Sequence, residues 1–133
     1  MAAQTDITVK MNDGATNITY SKLSPAGAAG EAATWRSESI GGVALFRPFL
    51  ELLSKWNSAK TTRRLEATYV YPYAVTDTTD STQVKKGEIK LQLVGHVLQS
   101  VPQAVIDEAV SQGLNCFADN SFKTALKTGQ APN

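Results

Sequence analysis

A chain of 133 residues with 42% hydrophobic and 19% charged side chains can bury a core without metals or cross-links and is too apolar for a disordered, solvating chain, so one globular domain over 1–133 is expected. Lys and Arg total 13 against 12 Asp and Glu, a formal charge of +1, which excludes a globally basic nucleic-acid binder and confines any RNA affinity to a local face. One cysteine and one histidine exclude an intramolecular disulfide framework and a structural zinc site within one chain.

The opening Met1-Ala2-Ala3-Gln4-Thr5-Asp6 has neither the basic flank nor the apolar run of a signal peptide, so secretion is not expected. Ile7, Val9 and Met11 alternate with Thr8 and Lys10, Asn12-Asp13-Gly14 supplies a turn, and Ile18 and Tyr20 resume the alternation, the pattern of a β-hairpin. Residues 24–30 are small and aperiodic and suit a loop. A strand is expected over 33–38. Residues 43–56 satisfy two periods: Phe46, Phe49, Leu50, Leu53 and Ser54 fit a helical stripe, whereas Leu50, Leu52, Ser54 and Trp56 fit a strand face. Pro48 inside a central strand would remove a ladder donor and calls for an edge or a bulge. The apolar run 42–53 is broken by Arg47, Pro48 and Glu51 and is too short for a membrane span.

Over 63–71, Leu65, Ala67, Tyr69 and Tyr71 share one face of a strand and Arg64, Glu66, Thr68 and Val70 the other, with Pro72 expected to interrupt the ladder. Residues 74–82 are polar and turn-rich, an exposed connection. In 86–97, Ile89, Leu91 and Leu93 alternate with Glu88, Lys90 and Gln92, the clearest strand of the chain. After Ser100 the period becomes helical: Val101, Val105, Ile106, Ala109, Val110 and Leu114 form an apolar stripe, with Pro102 in the first turn and Asp107 and Glu108 near the start. A second short helix is expected over 121–127, stopped by Gly129. Strands first and helices last predict an α+β fold: an N-terminal β-hairpin plus antiparallel sheet followed by two C-terminal helices.

This order resembles the levivirus coat proteins, the shell subunits of single-stranded RNA bacteriophages. Three segments carry the resemblance: Asn57-Ser58-Ala59-Lys60-Thr61-Thr62-Arg63-Arg64, similar to the family's polar, basic hairpin turn; Tyr69-Val70-Tyr71-Pro72, similar to its strand ending in proline; and residues 86–127, a strand followed by a Pro-started helix and a shorter one. The resemblance implies an interlocked homodimer in which each subunit's helices cross the partner's sheet. It further implies an icosahedral shell assembled in the bacterial host cytoplasm, packaging of the viral RNA, and binding of an RNA hairpin that represses replicase translation. No cofactor, membrane or small-molecule substrate is implied, and no enzymatic activity. The alternative is a cellular dimeric β-sheet module that binds RNA without forming shells.

A physical motive supports the dimer: two short helices cannot cover a sheet face alone, and exchanging them buries apolar surface worth roughly 25 cal/mol per Å². If Leu65, Ala67, Tyr69, Ile89, Leu91 and Leu93 face the helices, parity puts Arg64, Glu66, Thr68, Glu88, Lys90 and Gln92 on the other side. By family position, Ser54, Trp56, Ser58, Thr62, Arg64, Glu66, Thr68, Lys90 and Gln92 match the residues that touch RNA. The cations would neutralise phosphates, Ser, Thr and Gln would hydrogen-bond unpaired bases, and Trp56 would stack on one. Glu66 and Glu88 depart from the pattern, because carboxylates repel phosphate. Lys55, Lys60, Arg63 and Arg64 form a basic cluster without an acid among them, whose plain alternative is a solvated hairpin tip.

Other candidates read as structural. A lone histidine, His96, near a strand end suits a structural role, and Cys116, with no histidine nearby in sequence, suits a buried small hydrophobe. Asp77 and Asp80 lack the spaced ligands and closing glutamate of a calcium loop, and Gly27 and Gly30 do not open a phosphate-binding turn. Tyr69, Tyr71 and Tyr73 form a one-sided stripe that suits core or interface better than a base-stacking platform, and an interface is expected.

Overall fold

The computed structural model describes residues 3–27, 31–37, 46–76, 79 and 82–131. Among the described residues, six strands and two helices follow in the expected order: β1 (Ile7–Lys10), β2 (Asn17–Ser24), β3 (Ala33–Ser37), β4 (Phe49–Trp56), β5 (Thr62–Thr76), β6 (Gln83–Leu98), α1 (Gln103–Phe117) and α2 (Asn120–Thr128). The strands form one antiparallel sheet in chain order, with β1 and β6 at its edges. Among the described residues, no helix is long and apolar enough to cross a membrane.

The first hairpin turns at Asp13, whose carboxylate accepts hydrogen bonds from Ala15 N, Thr16 N and the Thr16 hydroxyl. These bonds favour the anion and hold the Asp13 carboxyl down at about 2. Gly14 follows at φ 73°, a conformation that glycine adopts without steric cost. Between β2 and β3 the register shifts at Lys22/Ser24, and Asp6 Oδ1 accepts from Lys22 N at 2.9 Å. The segment before β1 is further fastened to β3 by Gln4 Nε2 donating to Thr34 O at 2.8 Å and Trp35 Nε1 donating to Thr5 O at 2.7 Å.

The buried core is Ile18, Tyr20, Ala33 and Trp35, with Ile7, Leu50, Leu52 and Tyr69 packed against it. All lie on one side of the sheet, as the register shows: Trp35 opposes Leu50, Leu52 opposes Ala67 and Leu50 opposes Tyr69. Tyr20 and Tyr69 meet hydroxyl to hydroxyl at 2.6 Å, although β3 and β4 lie between their strands. Burial pushes both phenols above the ordinary tyrosine range.

The ambiguous stretch resolves as strand. β4 begins at Phe49 because Pro48 stands just outside it, fully buried, with its carbonyl accepting from Ser37 N at 2.9 Å. A proline at the entrance costs no ladder donor; residues 43–45 lie outside the described residues. Pro72 does not interrupt its strand. β5 runs on to Thr76 and pairs with β6 through Pro72↔Glu88. The pairing with β4 stops at Val70, so no neighbour on that side requires the missing N–H. Strand β5 therefore takes in residues 74–76 of the expected 74–82 connection, and β6 begins just after it at Gln83. Asp77 and Asp80 lie outside the described residues.

Pro102 is the N-cap of α1 rather than a member of its first turn, and that turn carries no acid. Asp107 and Glu108 fall one turn later and accept from Gln103 Nε2 and Gln112 Nε2 at 2.8 and 2.6 Å, i,i+4 pairs on the helix surface. Helix α2 is capped at its start by Asp119, whose side chain accepts from Ser121 N at 3.0 Å, and at its end by Gly129 in the left-handed region. Phe117 and Phe122 pack edge to face with ring centroids 5.7 Å apart, joining the two helices. Neither helix has a buried residue. Cys116 is exposed rather than buried, because the helix that carries it lacks a covering layer.

Candidate nucleic-acid interface

Register determines which side chains share the surface away from the helices. Along β5 and β6, Arg64 opposes His96, Glu66 opposes Val94, Thr68 opposes Gln92 and Val70 opposes Lys90. Directly opposed residues point to the same side. Arg64, Glu66, Thr68, Lys90 and Gln92 therefore converge as expected, and Glu88, opposite Pro72, stands with them. Thr62 begins β5 on the same side, across from Leu98.

The hairpin joining β4 and β5 closes through Asn57. Its N donates to Thr62 O at 2.9 Å, its Oδ1 accepts from Thr61 N and Thr62 N at 2.8 and 3.2 Å, and its O accepts from Lys60 N at 3.0 Å. Lys60 takes φ 56° to complete the turn. Ser58 is exposed at this tip. The turn leaves Trp56 opposite Arg63 and Ser54 opposite Leu65.

Ser54 and Trp56 consequently stand on the helix side, away from the other seven expected residues. Their place on the β4 ladder is taken by Lys55 opposite Arg64, Leu53 opposite Glu66 and Glu51 opposite Thr68. Sequence reasoning placed Lys55 in the basic hairpin cluster without its position beside Arg64 on this face, and missed Glu51. A one-residue change of register exchanges the two faces of a strand, and the pairing partner that determines it is not visible in β4 itself. On that side the Arg63 guanidinium lies 5.5 Å from the Trp56 ring centroid, within cation–π range.

The surface has mixed charge. Lys55, Arg64 and His96 form a row nearest the hairpin, while Glu51, Glu66 and Glu88 lie further along the strands. Arg64 Nη2 lies 2.6 Å from Glu66 Oε1 in a half-exposed ion pair. Glu66 thereby neutralises part of the guanidinium that a phosphate would use. Such an array can hold a polyanion and present Thr68 and Gln92 for hydrogen bonding.

On the other side, α1 and α2 stand over the sheet without closing on it. An open apolar cleft of about 360 Å³ separates Val110, Leu114 and Phe117 from Leu65, Ala67 and Leu93, and another of about 610 Å³ lies between Phe122 and Leu126 and the strand residues Tyr69 and Leu91. A curled six-stranded antiparallel sheet in chain order with two trailing helices, polar on one side and openly apolar on the other, is a specific architecture.

The architecture is that of the phage coat proteins.

Fifty-six solved chains match it. The virus-like particle of bacteriophage NT-214 superposes with a TM-score of 0.82 at 9% identity, covering 99% of this chain and 100% of that one. The virus-like particle of Beihai levi-like virus 21 gives 0.80 at 12% identity, covering 99% of both. The bacteriophage GA protein capsid gives 0.76 at 13%, covering 96% and 95%. No protein-family model and no curated protein matches the sequence. The coat-protein fold is thus retained here at identities where only the fold is comparable.

Proposed function

We propose that this chain is the coat protein of a single-stranded RNA bacteriophage: a non-enzymatic, single-domain subunit that pairs into an interlocked homodimer, assembles into a closed icosahedral shell and resides in the virion. The observation that carries the reading is the uncovered apolar surface on the helix side. Val105, Val110, Leu114, Phe117, Phe122 and Leu126 are exposed on the helices, as are Ile89, Leu91 and Leu93 on the strand beneath. Contiguous apolar surface of this kind marks an interaction site. The long β6 edge supports the same reading, since an unpaired strand edge presents backbone donors and acceptors to a partner. A second copy, joined edge to edge with helices exchanged, satisfies both features together.

The opposite side of the shared sheet then lines the shell interior and binds the genome, through Lys55, Ser58, Thr62, Arg64, Glu66, Thr68, Lys90 and Gln92. Specific capture of an RNA hairpin and repression of replicase translation belong to this proposal and rest on the resemblance of the hairpin and strand segments. Electron microscopy of the protein expressed alone in bacteria tests it. Uniform closed particles containing host RNA are the expected result. A stable monomer at micromolar concentration overturns it, and RNA-binding dimers that never close into shells assign the chain to a cellular binding module instead.

A further inference from the structure

Among the described residues, one row of the bare sheet surface carries three nitrogen-bearing side chains. Lys55 on β4 opposes Arg64 on β5, and Arg64 opposes His96 on β6. All three are exposed. With strands about 4.8 Å apart, the row spans roughly 10 Å across the sheet beside the hairpin tip. The neighbouring rows differ: Leu53, Glu66 and Val94 come next, then Glu51, Thr68 and Gln92. His96 is also the sole histidine of the chain.

We propose that Lys55, Arg64 and His96 form a proton-sensitive phosphate-binding row, through which this protein holds RNA more tightly in mildly acidic solution than in mildly alkaline solution. The proposal rests on the reading that this surface carries RNA, and adds to it which row takes phosphate and what regulates it. Histidine is the side chain whose ordinary charge change falls between about pH 5 and 8. In this row a protonated imidazole becomes a third cation.

The charged groups around His96 give the linkage its sign. Arg64 faces it directly from β5, and Lys55 lies one strand further. Glu66 is bound to Arg64 at 2.6 Å. Along β6 the same-face neighbours are Val94 and Leu98, and the α1 residues bordering this stretch, Val105, Ile106, Ala109 and Val110, carry no charge. A bound phosphate adds negative charge to the row and stabilises the imidazolium, so RNA binding takes up a proton. By reciprocity, protons favour RNA binding.

The test is fluorescence anisotropy of a labelled oligouridine against the purified protein, across a salt series at about pH 5.5 and about pH 8. The wild type is expected to bind several-fold tighter at the acidic pH. Its log affinity against log salt is expected to be steeper there by about 0.7, one further phosphate contact on a single strand. His96→Gln is expected to erase both differences, and His96→Lys to show the acidic-pH affinity and slope at both pH values. Arg64→Gln is expected to weaken binding equally at both.

A pH difference that persists in His96→Gln overturns the proposal, since the proton then resides elsewhere. If the glutamine variant does not fold, the lysine variant decides: affinity that still changes with pH as in the wild type overturns the proposal equally. RNA binding that is indifferent to Lys55, Arg64 and His96 removes the row and leaves the sheet-surface reading standing. Absence of RNA binding at every pH and salt concentration removes that reading itself.

Discussion

The two ends of the chain complete their packing differently. On β2 and β3 the apolar side chains Ile18, Tyr20, Ala33 and Trp35 find partners within the chain: Trp35 is only 7% exposed, with its indole N–H bonded to Thr5 O, and Tyr20 is 6% exposed and joined to Tyr69. From β6 through α2 they do not, and Leu114, Phe117 and Leu126 are 47%, 54% and 67% exposed. The cause is geometric. The curled sheet folds its first strands around their own apolar side, whereas two helices standing over the last strands leave open clefts beneath them. A sequence can therefore hold one finished core and one that needs a second molecule.

Truncation in each region tests this contrast most strongly. Trp35→Ala is expected to cost about 3–5 kcal/mol, by the same amount at every protein concentration. Leu114→Ala is expected to cost about 2–5 kcal/mol where the helix is covered in the dimer and under about 0.5 kcal/mol in a dilute monomer. Chemical denaturation at two protein concentrations reads both. A concentration-independent Leu114→Ala effect erases the contrast.

Tyr69→Phe sharpens the account of the closed region. Removing one hydroxyl leaves the Tyr20 hydroxyl half-buried without its partner, an expected loss of about 1–3 kcal/mol in urea denaturation. Both phenols have folded values raised above the ordinary 10.0, so the folded state retains protons that the unfolded chain has released. Stability is whole below about pH 10 and falls as the pH rises from there through the raised folded values. An alkaline denaturation series on the wild type is expected to show this decline, and a shallower one in Tyr69→Phe.

On the bare surface, Glu66→Gln is expected to release Arg64 from its ion pair and raise RNA affinity a few-fold at low salt, with the gain shrinking as salt rises. Filter binding measures it, and unchanged affinity would mean that Arg64 does not meet phosphate. The smallest effect belongs to the hairpin between the regions. Lys60→Gly relieves a left-handed φ of 56° and is expected to stabilise by about 0.5–1 kcal/mol net of glycine's greater unfolded-state freedom. A thermal melt detects it.

The periodicity of single strands was enough to assign Leu65, Ala67 and Tyr69 to one side and Arg64, Glu66 and Thr68 to the other, and the helices were legible from the change of period after Ser100. Local chemistry likewise marked the turn at Asp13-Gly14 and the stop at Gly129, because turns and caps are satisfied by residues adjacent in sequence. These features depend on interactions within a few residues of one another. The α+β order, and with it the resemblance to a shell protein, followed from them.

Tertiary pairing decided the rest. Residues 49–56 carry helical and strand periods together, and only partners on β3 and β5 make them a strand. The same pairing turned Ser54 and Trp56 to the helix side and brought Lys55 beside Arg64. Pro72 could remain inside β5 only because β4 ends before reaching it. Cys116, carried on an amphipathic helix, is exposed because the described residues leave that helix without a buried side. Sequence determined what each segment prefers by itself; register and layering, which depend on residues far apart in the chain, determined which side chains meet and which surface was left for another molecule.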